Sequence, residues 1–595
     1  MTDKVDTNQK VCDPFSEIKF KGQILDNVHG FISYTEAEHK IMQTQLFRRL
    51  QSIKQLSVVN WVFPGSEHTR YIHSLGVMHV ADKMAIALGL NNKERRILRL
   101  AGLLHDIGHY PLSHVCETPY KDDMPYKSVD HTEFCEKVNQ KVINDEIKGF
   151  KIKVKTDLMV PSKDLHHEAV GAEIVKNNPD IRNILEAELG ANAHEIIADI
   201  IVGRADRDEP DSLLVQVLHS ELDADGIDYM MRDSAFAGTN FGAGEIEQLI
   251  RCLVIKKYNG KRIMCIRPKA IPAADQYLLN KFFHYSQVVF NRHIVVSEWM
   301  AMQVINWMRT NKTIFPDKEK VYQWLKAGCT GEGQEYLAFT DNQFWIALEK
   351  ILKNELSFLV PEYIRRFCQY LLLHDEPEPA KKYEIRIVSN DQQEIRQRLE
   401  KAVICNDADA RANWVTIVEK RTMTKQVPDL KFRIALVKYK DFSAKSDEDE
   451  SVRDVMAEWF ENLARQRNGE VFADVPAGWV QNILQEYKRA IHEDMSWAEL
   501  QYQMSRVIDR CSGESATDML PEVKEKLGSL LKDLFYEPPE ELLVNDYLMS
   551  RLQECICVLD HDESIHLLCD DERSLMRSMY NQTVVMLRSY KYQTN

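Results

Sequence analysis

The run RRILRLAGLLHDIG, residues 95–108, constrains the fold of this chain more than any other stretch. Its apolar residues recur at spacings of three and four, which gives a helix one face to bury. KMAIALGL, residues 83–90, carries the same period. From about Glu36 to Asp233 that period dominates, so the expected architecture is mainly α.

Other segments punctuate it. Residues 1–16 read as a polar tail, and residues 119–165, with DDMP and KVKTD, read as an insertion between helices. Leu253–Ile266 reads as a β-hairpin, because Asn259-Gly260 supplies the two positive-φ positions of a type I′ turn. Helices are expected again over 267–375. DEPEPAKK then marks a linker. Beyond it, YEIRIV at 383–388, WVTIVEK at 414–420 and FRIALVKY at 432–439 read as strands. DQQEIRQRLEKAV between the first two reads as a helix. These make a small α+β appendage over 376–451, which ends in a solvated acidic loop, DEDE at 447–450. The rest, 452–595, reads as a helical C-terminal region for regulation or oligomerisation.

The chain has 595 residues, of which 44% are hydrophobic and 28% charged, enough to bury a sizeable core. With 76 basic against 91 acidic residues, its net charge is −15. Such a polyanion makes a poor general binder of nucleic acid, although a metal ion and a few local cations can still admit an anionic substrate. Twelve cysteines are scattered without a Cys-x-x-Cys pair, which argues against a zinc ribbon and for a reducing compartment. The N-terminal residues are polar, and no apolar run reaches the ~20 residues that span a bilayer. A cytoplasmic location without membrane contact is therefore expected.

The chemistry concentrates in HTRYIHSLGV at 68–77, LLHDIGHYPLSH at 103–114, HHE at 166–168 and ELDADGIDYMMRD at 221–233. His105 and Asp106 are adjacent, and adjacent helical residues point about 100° apart. Both reach one ion only if it sits near the edge of the helix they share. His73 and Asp225 are candidates to close the shell, since unpaired polar groups in apolar helices are costly. Two imidazoles and two carboxylates suit Fe, Mn, Zn, Ni or Co. His109 lies four residues after His105 and is expected on the same helix face, with Pro111 ending that helix. His114 and His167 add proton donors, and Arg70 adds a planar cation for phosphate. Each piece alone is commonplace: a second pair, His561-Asp562, reads as a surface feature, and Arg232-Asp233 as an ion pair.

Taken together, FRRLQSIKQLSVVNWVFPGSEHTRYIHSLGV at 47–77 and LAGLLHDIGHYPLSH at 100–114 resemble the HD-domain deoxynucleoside triphosphate triphosphohydrolases. The resemblance runs from about Ile24 to about Arg292. It implies an HD-domain helical core over 17–375 and a homo-oligomer. It implies that His73, His105, Asp106 and Asp225 bind the metal. His114 would be the general acid and Glu117 would orient it. His109, His167 and Arg70 would touch the phosphates, Tyr229 and Asp233 the sugar. Gln55 and Leu56 would read the 3′-OH and exclude a 2′-OH. Mg would arrive with the triphosphate, and water activated at the metal would attack the α-phosphorus in line.

The chain also departs from the family. Gly226 stands where a phosphate-binding Lys is expected, and Lys281 or Arg292 is the candidate replacement. Gly22, Gln43, Arg48 and Gln51 do not match the residues of a GTP activator site, so a different nucleotide activator or inhibitor, or none, is expected. Two alternatives follow: hydrolysis of another nucleotide, or a nucleotide-binding sensor with weak activity. The role served, pool control or antiviral defence, is left open.

Overall fold

The computed structural model describes residues 16–121, 165–204, 212–258, 260–311, 315–356, 359–373, 380–389, 414–422, 552–579 and 583–591. The chain forms two compact units, Met1–Val427 with Leu552–Asn595, and Pro428–Arg551. The second unit lies outside the described residues, as do FRIALVKY, DQQEIRQRLEKAV, the DEDE loop and residues 122–164 of the expected insertion.

The first unit is mostly helical. Its central helix is Asn92–Leu104, opened by a capping box in which Asn91 and Glu94 satisfy each other's backbone N–H groups. Ile97, Leu98, Leu100, Ala101, Leu103 and Leu104 are buried on it. Burying one such leucine stabilises the fold by about 1.5–3 kcal/mol relative to exposure. This helix packs on Arg70–Ala87, which in turn packs on Ala224–Ala237. The Asp223 side chain caps the Ala224–Ala237 helix through Gly226 N, and Gly238, at φ 68°, ends it. His167–Asn177 packs on Ala193–Ile201, and Arg292–Thr310 on His114–Lys121. One contiguous hydrophobic core runs through all of these helices.

Three small sheets border the helices. β1 (Phe20–Asp26) and β2 (Gly30–Thr35) form an antiparallel hairpin. β3 (Leu253–Tyr258) and β4 (Lys261–Ile266) form the expected hairpin, with Gly260 at φ 77°; Asn259 lies outside the described residues. β5 (Ala380–Ser389) and β6 (Trp414–Thr422) fall on two of the expected strands.

The C-terminal residues differ from expectation. Residues 557–591 are not helical throughout: β7 (Cys557–Leu559) adds in parallel to β4, β8 (Ile565–Leu567) follows it, and β9 (Thr583–Lys591) is inserted between β5 and β6. β9 begins Thr-Val-Val, and β-branched side chains lose rotamer freedom in a helix. A short apolar run has no period that separates strand from helix. The α+β appendage therefore takes its middle strand from beyond its expected boundary. Among the described residues, no helix is long and apolar enough to cross a membrane.

Candidate metal centre and active site

His73 and His105 present their Nε2 atoms to one point. Both are buried and neither has a hydrogen-bond partner. His73 Nδ1 donates to Asp228 Oδ2 at 2.7 Å, and His105 Nδ1 donates to the Gly102 carbonyl at 2.8 Å. With both Nδ1 protons committed, the Nε2 lone pairs are left to a cation. One ligand atom from each of His73, His105 and Asp106 lies within 4.8 Å of the others. Asp225 Oδ1 completes the group, 3.0 Å from His73 Nε2 and 3.8 Å from His105 Nε2. Two orphaned imidazole nitrogens and two carboxylates fit a divalent transition metal.

The electrostatics agree with that donor set. Burial alone would lower the His73 pKa, but Asp225, Asp228 and Asp106 raise it to about 10. A divalent ion satisfies the same carboxylates that hold that proton. Burial would raise Asp106, yet Arg70, His105 and His73 keep it well below the carboxylate range. Asp225 is likewise held down against its burial, mainly by His73.

The helical path differs from expectation at the key pair. The helix ends at Leu104, and His105 is its C-cap. His105 and Asp106 thus sit on a turn rather than on a shared helix. His109 is not on a helix face with His105, and Pro111 does not end the helix. Beyond the turn the chain passes close to the His167–Asn177 helix. A Cβ on Gly108 would lie 2.2 Å from the His167 carbonyl oxygen and 2.3 Å from Gly171 N. The turn nevertheless brings His109 Nε2 to 3.5 Å from Asp106 Oδ1.

A second group adjoins the first. His109 stacks on His167 at 4.1 Å between ring centroids, and His114 stands edge-on to both. Glu117 Oε2 accepts His114 Nδ1 at 2.7 Å, and Glu117 Oε1 accepts both the backbone N and Nδ1 of His167 at 3.0 Å. One carboxylate therefore orients two imidazoles. Burial opposes the Glu117 charge, but these hydrogen bonds hold its pKa far down. His109 is pushed well down by burial and by Arg70, so it is neutral. His167 is raised by Glu117 against its burial. The His114 ring is 66% exposed, with the His109 and His167 rings against it. Desolvation there lowers its pKa despite Glu117.

The remaining expected residues fall into place unevenly. Arg70 is buried and engaged, with Asp106 Oδ2 at 2.8 Å, Ser113 Oγ at 3.0 Å and the Gln55 carbonyl at 3.4 Å. Its first task is to hold Asp106 rather than to offer a free cation. Gln55 is buried with Oε1 unpartnered. Leu56 packs against the Val59–Val288–Ile294 cluster. Asp233 accepts His68 Nε2 at 2.7 Å, and His284 Nε2 lies 3.3 Å away. Tyr229 stands beside Lys281, whose Nζ is 5.5 Å from the ring centroid. A Cβ on Gly226 would lie 2.6 Å from Tyr277 Oη and 3.4 Å from Lys281 Nζ, so those groups fill the space the glycine leaves. Arg292 bonds its neighbour His293 at 2.9 Å. His561 and Asp562 sit in an exposed turn, where Asp562 accepts Ser564 N and Oγ.

Sequence reasoning missed three groups. Arg232 pairs with Asp228 and Asp26, not with Asp233. Asp228 lies one helical turn after Asp225, and that spacing was the available signal. Asp341, far downstream, accepts Leu112 N at 2.7 Å and Lys54 N at 2.9 Å. It thereby holds the strained pair Leu112 and Ser113, at φ 53° and 52°, that precedes His114.

The chain is similar to known proteins over parts of its length. An uncharacterized protein of Mycoplasma pneumoniae is 28% identical over 296 residues, 49% of this chain and 60% of that protein. One of Methanocaldococcus jannaschii is 26% identical over 282 residues, 47% of this chain and 49% of that protein. The chain thus spans about half to three-fifths of these relatives. The deoxynucleoside triphosphate triphosphohydrolase SAMHD1 of Homo sapiens is 43% identical over 99 residues, 16% of each chain. A crystal structure of a phosphohydrolase from Bacteroides thetaiotaomicron has a TM-score of 0.51 at 14% identity, covering 96% of this chain and 99% of that one, a likeness of fold. Residues 70–219, which hold His73, His105, Asp106 and the histidine group around Glu117, match the HD domain family, and this chain carries an HD domain.

Proposed function

We propose that the chain is a metal-dependent phosphohydrolase that cleaves deoxynucleoside triphosphates to deoxynucleoside and triphosphate. The observation that carries this reading is the junction of two groups: the His73, His105 and Asp106 cluster, with Asp225 beside it, shares Asp106 with an imidazole group oriented by Glu117. A phosphate ester needs both, one to polarise the phosphoryl centre and one to protonate the leaving oxygen. The partial similarity to SAMHD1 supports deoxynucleoside triphosphates as the substrate.

A divalent ion held by His73, His105, Asp106 and Asp225 supplies Lewis acidity to water and phosphate when bound. His114 gives its Nε2 proton to the 5′ oxygen as the bond to phosphorus breaks, while Glu117, at Nδ1, offsets part of the desolvation that disfavours the imidazolium. His109 and His167 offer ring nitrogens to the phosphate oxygens. Lys281 supplies the cation that Gly226 cannot. Tyr229 and Asp233 face the sugar, and Gln55 and Leu56 flank its 3′ and 2′ positions. Mg enters with the triphosphate as part of the substrate.

The test is a panel of the four deoxynucleoside triphosphates with Mg and one of Mn, Fe, Co, Ni or Zn, read by product identity. Deoxynucleoside and inorganic triphosphate are expected. His105→Ala abolishes turnover, and His114→Ala lowers it by about 10²–10⁴-fold. Monophosphate with pyrophosphate, or no turnover with any metal, overturns the reading in favour of another nucleotide or of a sensor.

A further inference from the structure

The metal ligand His73 does not stand alone on its second nitrogen. Its Nδ1 donates to Asp228, whose side chain is fully buried. The other oxygen of that carboxylate, Oδ1, accepts His29 Nε2 at 2.6 Å. His29 lies in the turn between β1 and β2, with its side chain 5% exposed. Arg232 bridges the group: Nε reaches Asp228 Oδ2 at 2.9 Å and Nη1 reaches Asp26 Oδ2 at 2.8 Å. Asp26 Oδ1 in turn accepts Val28 N and His29 N, both at 2.9 Å, which fixes the turn that carries His29.

Space on the Arg70–Ala87 helix is reserved for this carboxylate. A Cβ on Gly76 would fall 1.8 Å from Asp228 Oδ1. Any larger residue one turn after His73 would expel Asp228. The hydrogen-bonded route from the hairpin to the donor set therefore runs through Asp228.

Resting on the metal reading above, we infer that His29 is a positioning residue for the metal: through Asp228 it fixes the tautomer and orientation of His73, so the N-terminal hairpin sets the affinity of the site. Asp228 must accept two imidazole N–H groups and one guanidinium at once. Arg232 bonds both oxygens, Nε to Oδ2 at 2.9 Å and Nη2 to Oδ1 at 3.0 Å, so without His29 the Oδ1 side is held by Arg232 alone; the carboxylate then settles onto the guanidinium, which relaxes its hold on His73 Nδ1. Outer partners of metal-bound histidines carry about 10–100-fold in metal affinity.

The experiment measures Co(II) and Mn(II) affinity of the purified full chain by chelator competition, with the Co(II) absorption spectrum as a reporter of ligand geometry. His29→Ala is expected to weaken Co(II) binding by about 10–100-fold and to shift the spectrum, while metal-free melting stays near that of the parent. His29→Gln, whose amide can still donate to Asp228, restores affinity. Should His29→Ala fail to fold, His29→Asn, which is too short to reach Asp228, is compared with His29→Gln in the same assay. Parent-like affinity and spectrum in His29→Ala, or in His29→Asn if Ala does not fold, overturn the inference. A parent chain that binds no Co(II), or an Asp225→Ala variant that binds it unchanged, overturns the metal reading itself.

Discussion

His79 shows how one residue can register the solvent. Burial, with His29, Lys83 and Arg99 nearby, lowers its pKa from 6.5 to about 4. The folded value lies below the unfolded one, so the contribution to stability is complete above pH 6.5. It is lost as pH falls from 6.5 toward 4. The shift corresponds to about 3 kcal/mol at most, and to about 1–3 kcal/mol after allowance for partial exposure. His79→Leu should therefore lose less stability than the parent between pH 7.5 and 5, by about 1–2 kcal/mol in urea unfolding. Equal losses would show that His79 does not titrate on folding. At this scale the convergence of His73, His105 and Asp106 was legible, because an imidazole or carboxylate inside an apolar helical stretch is costly unless it is paired or holds an ion. Asp228 was missed, since Arg232 read as paired with its neighbour Asp233 and only the one-turn spacing from Asp225 pointed to it.

Among the elements, the turn from His105 to His114 matters most. The sequence reads as helix, but the helix ends at Leu104 and the chain passes close to the His167–Asn177 helix at Gly108. Leu112 and Ser113 both adopt positive φ, which costs about 1–3 kcal/mol each for residues with a Cβ. Asp341 offsets that cost by accepting Leu112 N, and it ties the turn to Lys54 N. Asp341→Ala would leave the buried Leu112 N–H and the half-buried Lys54 N–H without their acceptor, at about 1–3 kcal/mol for the buried one. Its melting temperature should fall, and turnover should drop at least ~10-fold as His114 shifts, with bound metal unchanged by elemental analysis. Parent-like turnover would show that the turn holds itself. The Asp341 contact was illegible because it joins residues 229 positions apart.

For the whole molecule, the HD match covers residues 70–219, yet the site draws on residues from Gln55 to Lys281 and its support on residues from Asp26 to Asp341. The core also depends on the C-terminal residues. β7 pairs with β4, Glu221 N donates to the Glu554 carbonyl at 2.8 Å, and the buried Asp275 accepts Ser574 Oγ and Leu575 N. A fragment of residues 16–375 would expose the β4 edge and strand Asp275 without these donors. We expect it to melt several degrees below the full chain and to aggregate more readily, by scattering on heating. Equal melting would make residues 552–579 dispensable to the core.

Sequence by itself determined the helical period, the two hairpin halves around Gly260 and the candidacy of His73, His105 and Asp106 as metal donors, because each is a local matter of side-chain chemistry and spacing. Only the tertiary structure decided that His105 and Asp106 leave the helix, that Asp228 serves two histidines and that a C-terminal strand completes the sheet of β5 and β6. Those outcomes come from close approach between segments far apart in the chain, where steric room and unpaired polar groups decide and local pattern carries no information.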